Sequence, residues 1–227
     1  MRLLALDTAT ECCSAALLVE GRLLAREAEL VREHAERILP MIDELLAEAG
    51  TGLRALDAIA FGRGPGSFTG VRLAASLTQG LAFGAGLGVV PISDLRAVAQ
   101  RAFDEDPVVT RALVCNDARM QEVYWGCFER NGEGLAAPHG PEGVAPPGGV
   151  QLPLGWTAVS GLGRGFIAYP VLRSLGGVSV RPPWDRLLPR AAEVARLAAQ
   201  ELAAGRVLGP EAAVPLYLRD DVARPPP

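Results

Sequence analysis

Three extended apolar segments open this chain with no helical pattern between them, and that order restricts the folds open to it. Residues 2–6 form an apolar run that ends at Asp7, the mark of a buried strand. Residues 14–20 and 22–30 are two further extended segments, joined at Glu20-Gly21 by a hairpin turn. Strands that follow one another without a crossover helix pair antiparallel. The period then changes. Across residues 33–49 the apolar positions recur at helical spacing, with Pro40 predicted to kink the helix or mark a restart and Gly50 ending it. A strand over 56–61 runs into a glycine-rich loop, 62–70, and a second helix follows to about residue 84. Residues 88–92 read as a strand, and Ser93 caps a helix to about residue 103.

Asp104-Glu105-Asp106-Pro107 marks the expected domain boundary. Strands follow over 111–116 and 122–130. Residues 131–153 are dense in glycine and proline and read as a long loop or an eroded region. A helix is predicted over 190–204, and the chain closes with Val214-Pro215-Leu216-Tyr217-Leu218-Arg219 and a proline-rich tail. The βββαβα order, followed by a second α/β unit, predicts an α/β protein with an actin-like (ribonuclease-H-like) fold: two related subdomains with mixed sheets. They divide as 1–104 and 105–227, with the final helix and tail expected to pack back on the first. No internal repeat is visible in the residues themselves.

Composition removes several functions. With a net charge of -4 the chain is not suited to gripping nucleic acid by itself, because phosphate contacts dominate such affinity. It contains no lysine, so neither a P-loop lysine nor a Schiff-base lysine is available. Its four cysteines, Cys12, Cys13, Cys115 and Cys127, form no C-x-x-C pair and imply a reducing compartment. Asp7 and Glu11 interrupt the N-terminus before it could serve as a signal peptide, and four glycines with Gln79 break residues 73–91 as a membrane span. A cytoplasmic protein with no membrane contact is expected.

Two groups of residues could carry function. The first is a nucleotide or anion site made of Asp7, Thr8 and Thr10 at the end of the first strand with Gly64, Gly66 and Ser67 of the glycine loop, since a helix N-terminus presents free N–H groups. Against it, the loop fits neither the Walker pattern nor a complete G-x-G-x-x-G. A tight turn with Ser67 or Thr69 capping the helix explains the same residues. The second group is apolar. Ile38, Leu39, Met41, Ile42, Leu45 and Leu46 of the first helix, and Phe68, Val71, Leu73, Leu77, Leu81 and Phe83 of the second, cover more circumference than one core stripe needs. Such a pair is either deeply buried or a partner interface. The two histidines, His34 and His139, give no H-x-x-x-H pair, so no metal site is predicted. His34 is read as a helix-terminus or interface residue. Cys12 and Cys13 are read as small buried groups.

Several strings together resemble one family. They are Leu6-Asp7-Thr8-Ala9-Thr10-Glu11, residues 34–42, Gly64-Pro65-Gly66-Ser67-Phe68-Thr69-Gly70-Val71-Arg72, Asp117-Ala118-Arg119-Met120-Gln121-Glu122-Val123-Tyr124, and Pro215-Leu216-Tyr217-Leu218-Arg219. In this order they resemble the TsaB family, also called YeaZ, of tRNA threonylcarbamoyladenosine biosynthesis proteins. The resemblance implies a two-domain actin-like scaffold without the metal site or activity of its relative TsaD, and with no cofactor. It implies binding to a TsaD-type transferase through the two N-terminal helices, a TsaE-type ATPase joining the assembly, and homodimers when alone. Transfer RNA is then met only through the complex. Partner contact is thus expected at His34, Ile38, Leu39, Met41, Ile42, Leu45, Leu46, Leu73, Leu77 and Leu81. A charged residue at Leu45 or Leu77 is expected to weaken that contact and leave the fold intact. An actin-like ATP-binding enzyme using the Asp7 turn and the 62–70 loop is the alternative. A peptidase is a third reading, for which no ligand pair or nucleophile motif is present.

Overall fold

Leu3 and Ala5 point to one side of the first strand, Leu4 and Leu6 to the other, and all four are fully buried. A strand buried on both faces needs a layer of helices on each side, and the computed structural model, which describes residues 1–219, supplies them. The proline-rich tail lies outside the described residues.

The first sheet contains β1 (Arg2–Asp7), β2 (Cys12–Val19), β3 (Arg22–Glu29), β4 (Ala58–Gly62) and β5 (Gly88–Ile92), in the order β3-β2-β1-β4-β5. The β1–β2 and β2–β3 pairs are antiparallel, and β1, β4 and β5 run parallel. Helices α1 (His34–Glu48) and α2 (Phe68–Ala85) cover its outer face, and α3 (Asp94–Glu105) follows β5. Ser67 caps α2 by accepting the Gly70 N–H at 3.1 Å, and Gly86 ends it in the left-handed conformation, φ +71°. Helix α1 continues through Pro40 without a restart. Pro40 lies on the exposed side, where water can satisfy the carbonyl it leaves unpaired.

The second sheet repeats the first. Its strands are β6 (Arg111–Arg119), β7 (Glu122–Arg130), β8 (Ala136–Pro138), β9 (Gly143–Ala145), β10 (Val159–Leu162) and β11 (Val178–Ser179). The order β8-β7-β6-β10-β11 copies β3-β2-β1-β4-β5, with the same antiparallel and parallel pairs. β9 adds to β7. The glycine- and proline-rich stretch read as a loop is therefore partly a sheet edge: backbone pairing to β7 organises residues whose side chains offer little packing. The helices of the repeat are eroded. α4 (Gly165–Ala168) is one turn long, and a 3-10 turn at Pro147–Gly149 stands where α1 would be.

Helices α3 and α5 (Ala191–Ala203) lie between the sheets. α3 packs on β6, β7 and β8, while α5 packs on β1, β2, β4 and β5. One core joins Leu3, Ala5 and Ala60 of the first sheet, Leu95 and Phe103 of α3, Val194 and Leu197 of α5, and Val114 and Phe128 of the second sheet. A cut at 104/105 separates the sheets but not their cores. Alanine at many of these sites (Ala5, Ala16, Ala58, Ala60, Ala97, Ala195, Ala198) lets helix and sheet approach closely.

Leu45 is fully buried between α1 and the first sheet, whereas Leu39, one turn and a half earlier, is 40% exposed. Leu45→Ala should lower unfolding free energy by about 2–5 kcal/mol, and Leu39→Ala by less than about 1 kcal/mol. Urea denaturation of both variants measures the difference.

Candidate functional site

Two kinds of surface stand out, a cleft and a helical face. The cleft, of about 490 Å³, opens where the C-terminal ends of β1 and β6 meet the start of α2. Thr10 and Glu11 line it from the β1–β2 turn, Pro65, Gly66, Ser67 and Phe68 from the glycine loop, Asn116 to Met120 from the β6–β7 hairpin, and Leu216 to Arg219 from the C-terminal segment. All five strings that carry the family resemblance contribute here, His34 from the start of the first helix among them, although more than 200 residues separate the first from the last.

Of the residues predicted for a nucleotide or anion site, Thr10, Gly66 and Ser67 line the cleft, and Asp7, Thr8 and Gly64 do not. Asp7 is buried against Asp94, with Oδ1 accepting the Ala9 N–H at 2.9 Å. The Thr8 hydroxyl donates to the Gly70 carbonyl at 2.7 Å, which ties β1 to α2. The Gly64 carbonyl accepts the Asp94 N–H at 3.0 Å, and its φ of +104° requires glycine. These three therefore hold the loop in shape. Asn116, unnoticed in the sequence reading, is only 8% exposed at the cleft, and its side-chain amide has no protein partner. An asparagine directly after the apolar run of β6 was the available signal.

The C-terminal segment closes one side of the cleft. Leu216 donates its N–H to the Arg63 carbonyl at 2.8 Å, on the first domain. Arg219 reaches the second, with Nε 3.1 Å from Glu122 and Nη2 donating to the Ala118 carbonyl at 3.2 Å. Between them Tyr217 stands 6.4 Å from Phe68, and the Arg72 guanidinium lies 3.2 Å above the Phe68 ring.

His34 begins α1, and its Nε2 lies 2.8 Å from the Thr10 carbonyl. A carbonyl only accepts, so this nitrogen carries the hydrogen and fastens the helix start to the β1–β2 turn. His139, in the second domain, packs on Trp156 at 4.9 Å. Burial pushes the Cys12 thiol up to about 12 and Cys13 and Cys127 to about 11, so these are neutral groups at physiological pH. Among the described residues no three His, Cys, Asp or Glu side chains gather as a metal-ligand set.

The helical face differs from its sequence reading. Ile38, Met41, Ile42, Leu45 and Leu46 are buried in the chain's own core. Their helical spacing is accounted for by the sheet beneath, and a charge at Leu45 would break the fold instead of sparing it. What faces out is Leu39 on α1 and, on α2, Phe68 at 59% and Phe83 at 80% exposure. Leu73, Leu77 and Leu81 are half-buried beside Gly80 and Gly84, which have open space above them.

With this geometry in place, likeness to other proteins is informative. The TsaB protein of Escherichia coli K12, a tRNA threonylcarbamoyladenosine biosynthesis protein, is 42% identical over 228 aligned residues, 98% of this chain and 96% of that one. This chain belongs to the TsaB (YeaZ) family. Its role is thus in tRNA threonylcarbamoyladenosine biosynthesis. The Haemophilus influenzae TsaB is 56% identical over 125 residues, 55% of this chain and 52% of that one. Residues 28–146 match the TsaD family, tRNA N6-adenosine threonylcarbamoyltransferase. YeaZ from Pseudomonas aeruginosa superposes with a TM-score of 0.88 at 44% identity, covering 96% of this chain and 99% of that one. A second structure from that organism, of an uncharacterized protein with similarity to peptidase YeaZ, gives 0.90 at 45% over the same shares. Both support the actin-like fold of this TsaB-family chain. No helix among the described residues is long and apolar enough to cross a membrane.

Arg219 fastens the C-terminal segment to the second-domain wall of the cleft, through Glu122 and the Ala118 carbonyl. Arg219→Ala should destabilise the protein by about 1.5–3 kcal/mol, the range for hydrogen bonds to charged groups, and should make the chain at Tyr217 cleavable by chymotrypsin under native conditions. Limited proteolysis followed by mass spectrometry reads this out.

Proposed function

We propose that this chain is a non-catalytic scaffold of the tRNA threonylcarbamoyladenosine-forming assembly, working in the cytoplasm and docking a TsaD-type transferase through the outer side of α1 and α2. The observation that carries the reading is the exposed apolar face of α2. Phe83 stands free, and Gly80 and Gly84 leave room for a facing helix to approach closely. The same face self-associates when the transferase is absent. A TsaE-type ATPase joins the assembled pair, and tRNA is met through the complex.

Enzymatic alternatives find less support in the side chains. An actin-like nucleotide site calls for a carboxylate facing the phosphates, and Asp7 is turned inward behind the loop. Peptidase chemistry calls for an activated nucleophile, and burial keeps the thiols protonated.

The double variant Leu39→Asp/Phe83→Asp tests the docking face at two residues whose exposure spares the fold. Titration against the TsaD-type subunit, with light scattering for stoichiometry, should show a one-to-one heterodimer for the wild type. The variant should bind at least about tenfold more weakly, equivalent to about 1.4 kcal/mol, with unchanged thermal melting. Equal affinity for both proteins sinks the proposal.

A further inference from the structure

Asp7 ends β1, Asp94 begins α3, and Gly62 at the end of β4 lies between them. Both carboxyl groups have no solvent exposure. Asp7 Oδ2 and both oxygens of Asp94 make no well-formed hydrogen bond, although the Gly64 N–H lies near enough to Asp94 to favour its charged form. A Cβ at Gly62 would overlap Asp94 Oδ1 and Asp7 Oδ2, so the pair grips the bare backbone of that residue. Two buried carboxylates in contact cannot both keep their charge.

We propose that Asp7 and Asp94 share one proton, and that this acid–carboxylate pair is a pH-sensitive clamp on the root of the glycine loop. One hydrogen between the groups supplies the missing donor and removes the repulsion. The clamp reaches the loop by short links. Asp94 donates its backbone N–H to Gly64, Asp7 accepts from Ala9, and Ala9 in turn accepts the Ser67 N–H at 2.7 Å, at the cap of α2.

The surroundings fit this assignment. From α1, His34 favours the charged form of Asp7, while from the segment before β9 Glu142 favours the neutral form of Asp94. Glu142 is bonded to Ser93 and has Arg63 and Arg96 nearby. On β2, Cys12 and Cys13 feel the Asp7 charge and stay neutral below about 11. On α5, Glu193 is held by Arg190. Burial raises both aspartates above 3.8, Asp94 well above it, where the charge of Asp7 adds to burial. The folded chain therefore keeps a proton that the unfolded chain has released, and stability falls as pH rises from about 4 through the pair's upper ionisation.

Asp94→Asn is the direct test, because its amide donates to Asp7 in place of the shared proton and does not titrate. Between pH 6 and 9 the unfolding equilibrium of the wild type should rise faster with pH than that of the variant, by up to tenfold per unit. Exchange of the amides in residues 62–70, corrected for the base-catalysed intrinsic rate, should accelerate at pH 9 in the wild type alone. Carbon-13 NMR of the wild-type aspartate carboxyls should show one that remains protonated above pH 6, a readout independent of whether the variant folds. Parallel stability profiles, or carboxyls that are all ionised at pH 6, overturn the proposal. So does a wild-type profile that shifts with EDTA, since a divalent ion would then stand in place of the proton.

Discussion

The two sheets face each other across one layer of two packed helices, and the rest of the architecture depends on that layer. α3 follows the first sheet yet packs on the second, while α5 follows the second and packs on the first. Each half therefore completes the core of the other. Ala60, Phe103, Val194 and Phe128 belong to one continuous apolar interior, so separating the halves would expose surfaces from both. The cleft between the β1 and β6 ends inherits its shape from this arrangement, because the helices fix how far apart the strand ends stand.

The two halves share a strand order and differ in what covers their outer faces. On the first sheet, α1 and α2 bring full apolar stripes, with Ile38, Leu45, Val71 and Ala74 facing inward. On the second, glycine and proline are too frequent for long helices, and short strands, 3-10 turns and the single turn of α4 take their place. Trp156, Phe166 and Leu172 fill the outer core there instead. An outward helical face thus exists on one half of the molecule, which is why the docking proposal rests on α2 and its exposed Phe83.

Around the cleft, residues with ligand-like identity do structural work. Asp7, Thr8 and Gly64 tie β1, the glycine loop and α3 together, whereas Thr10, Gly66, Ser67 and Asn116 reach the opening. The separation has a geometric cause. Asp7 is the last residue of β1 and is buried where α3 begins, whereas Thr10 lies in the turn beyond the strand, which carries it to the opening. The closely spaced hydroxyls and acid at 7–10 look alike in sequence and are parted by the end of the strand.

The residues by themselves determined the element order of the first half, the cap at Ser93, the antiparallel meander and the absence of a histidine pair, because each rests on local chemistry: period, turn residues and side-chain type. The family, too, was legible in strings such as Gly64 to Arg72 and Asp117 to Tyr124. Only the tertiary structure decided which apolar residues of α1 are core. Ile38, Met41, Ile42, Leu45 and Leu46 are equally compatible with a partner and with a sheet until the sheet is in place. It also decided that residues 131–153 contribute strands, since β8 and β9 exist through hydrogen bonds to β7 and not through their own propensity. The Asp7–Asp94 contact spans 87 positions and depends on β1, β4 and α3 meeting at Gly62, a long-range coincidence that no local pattern encodes.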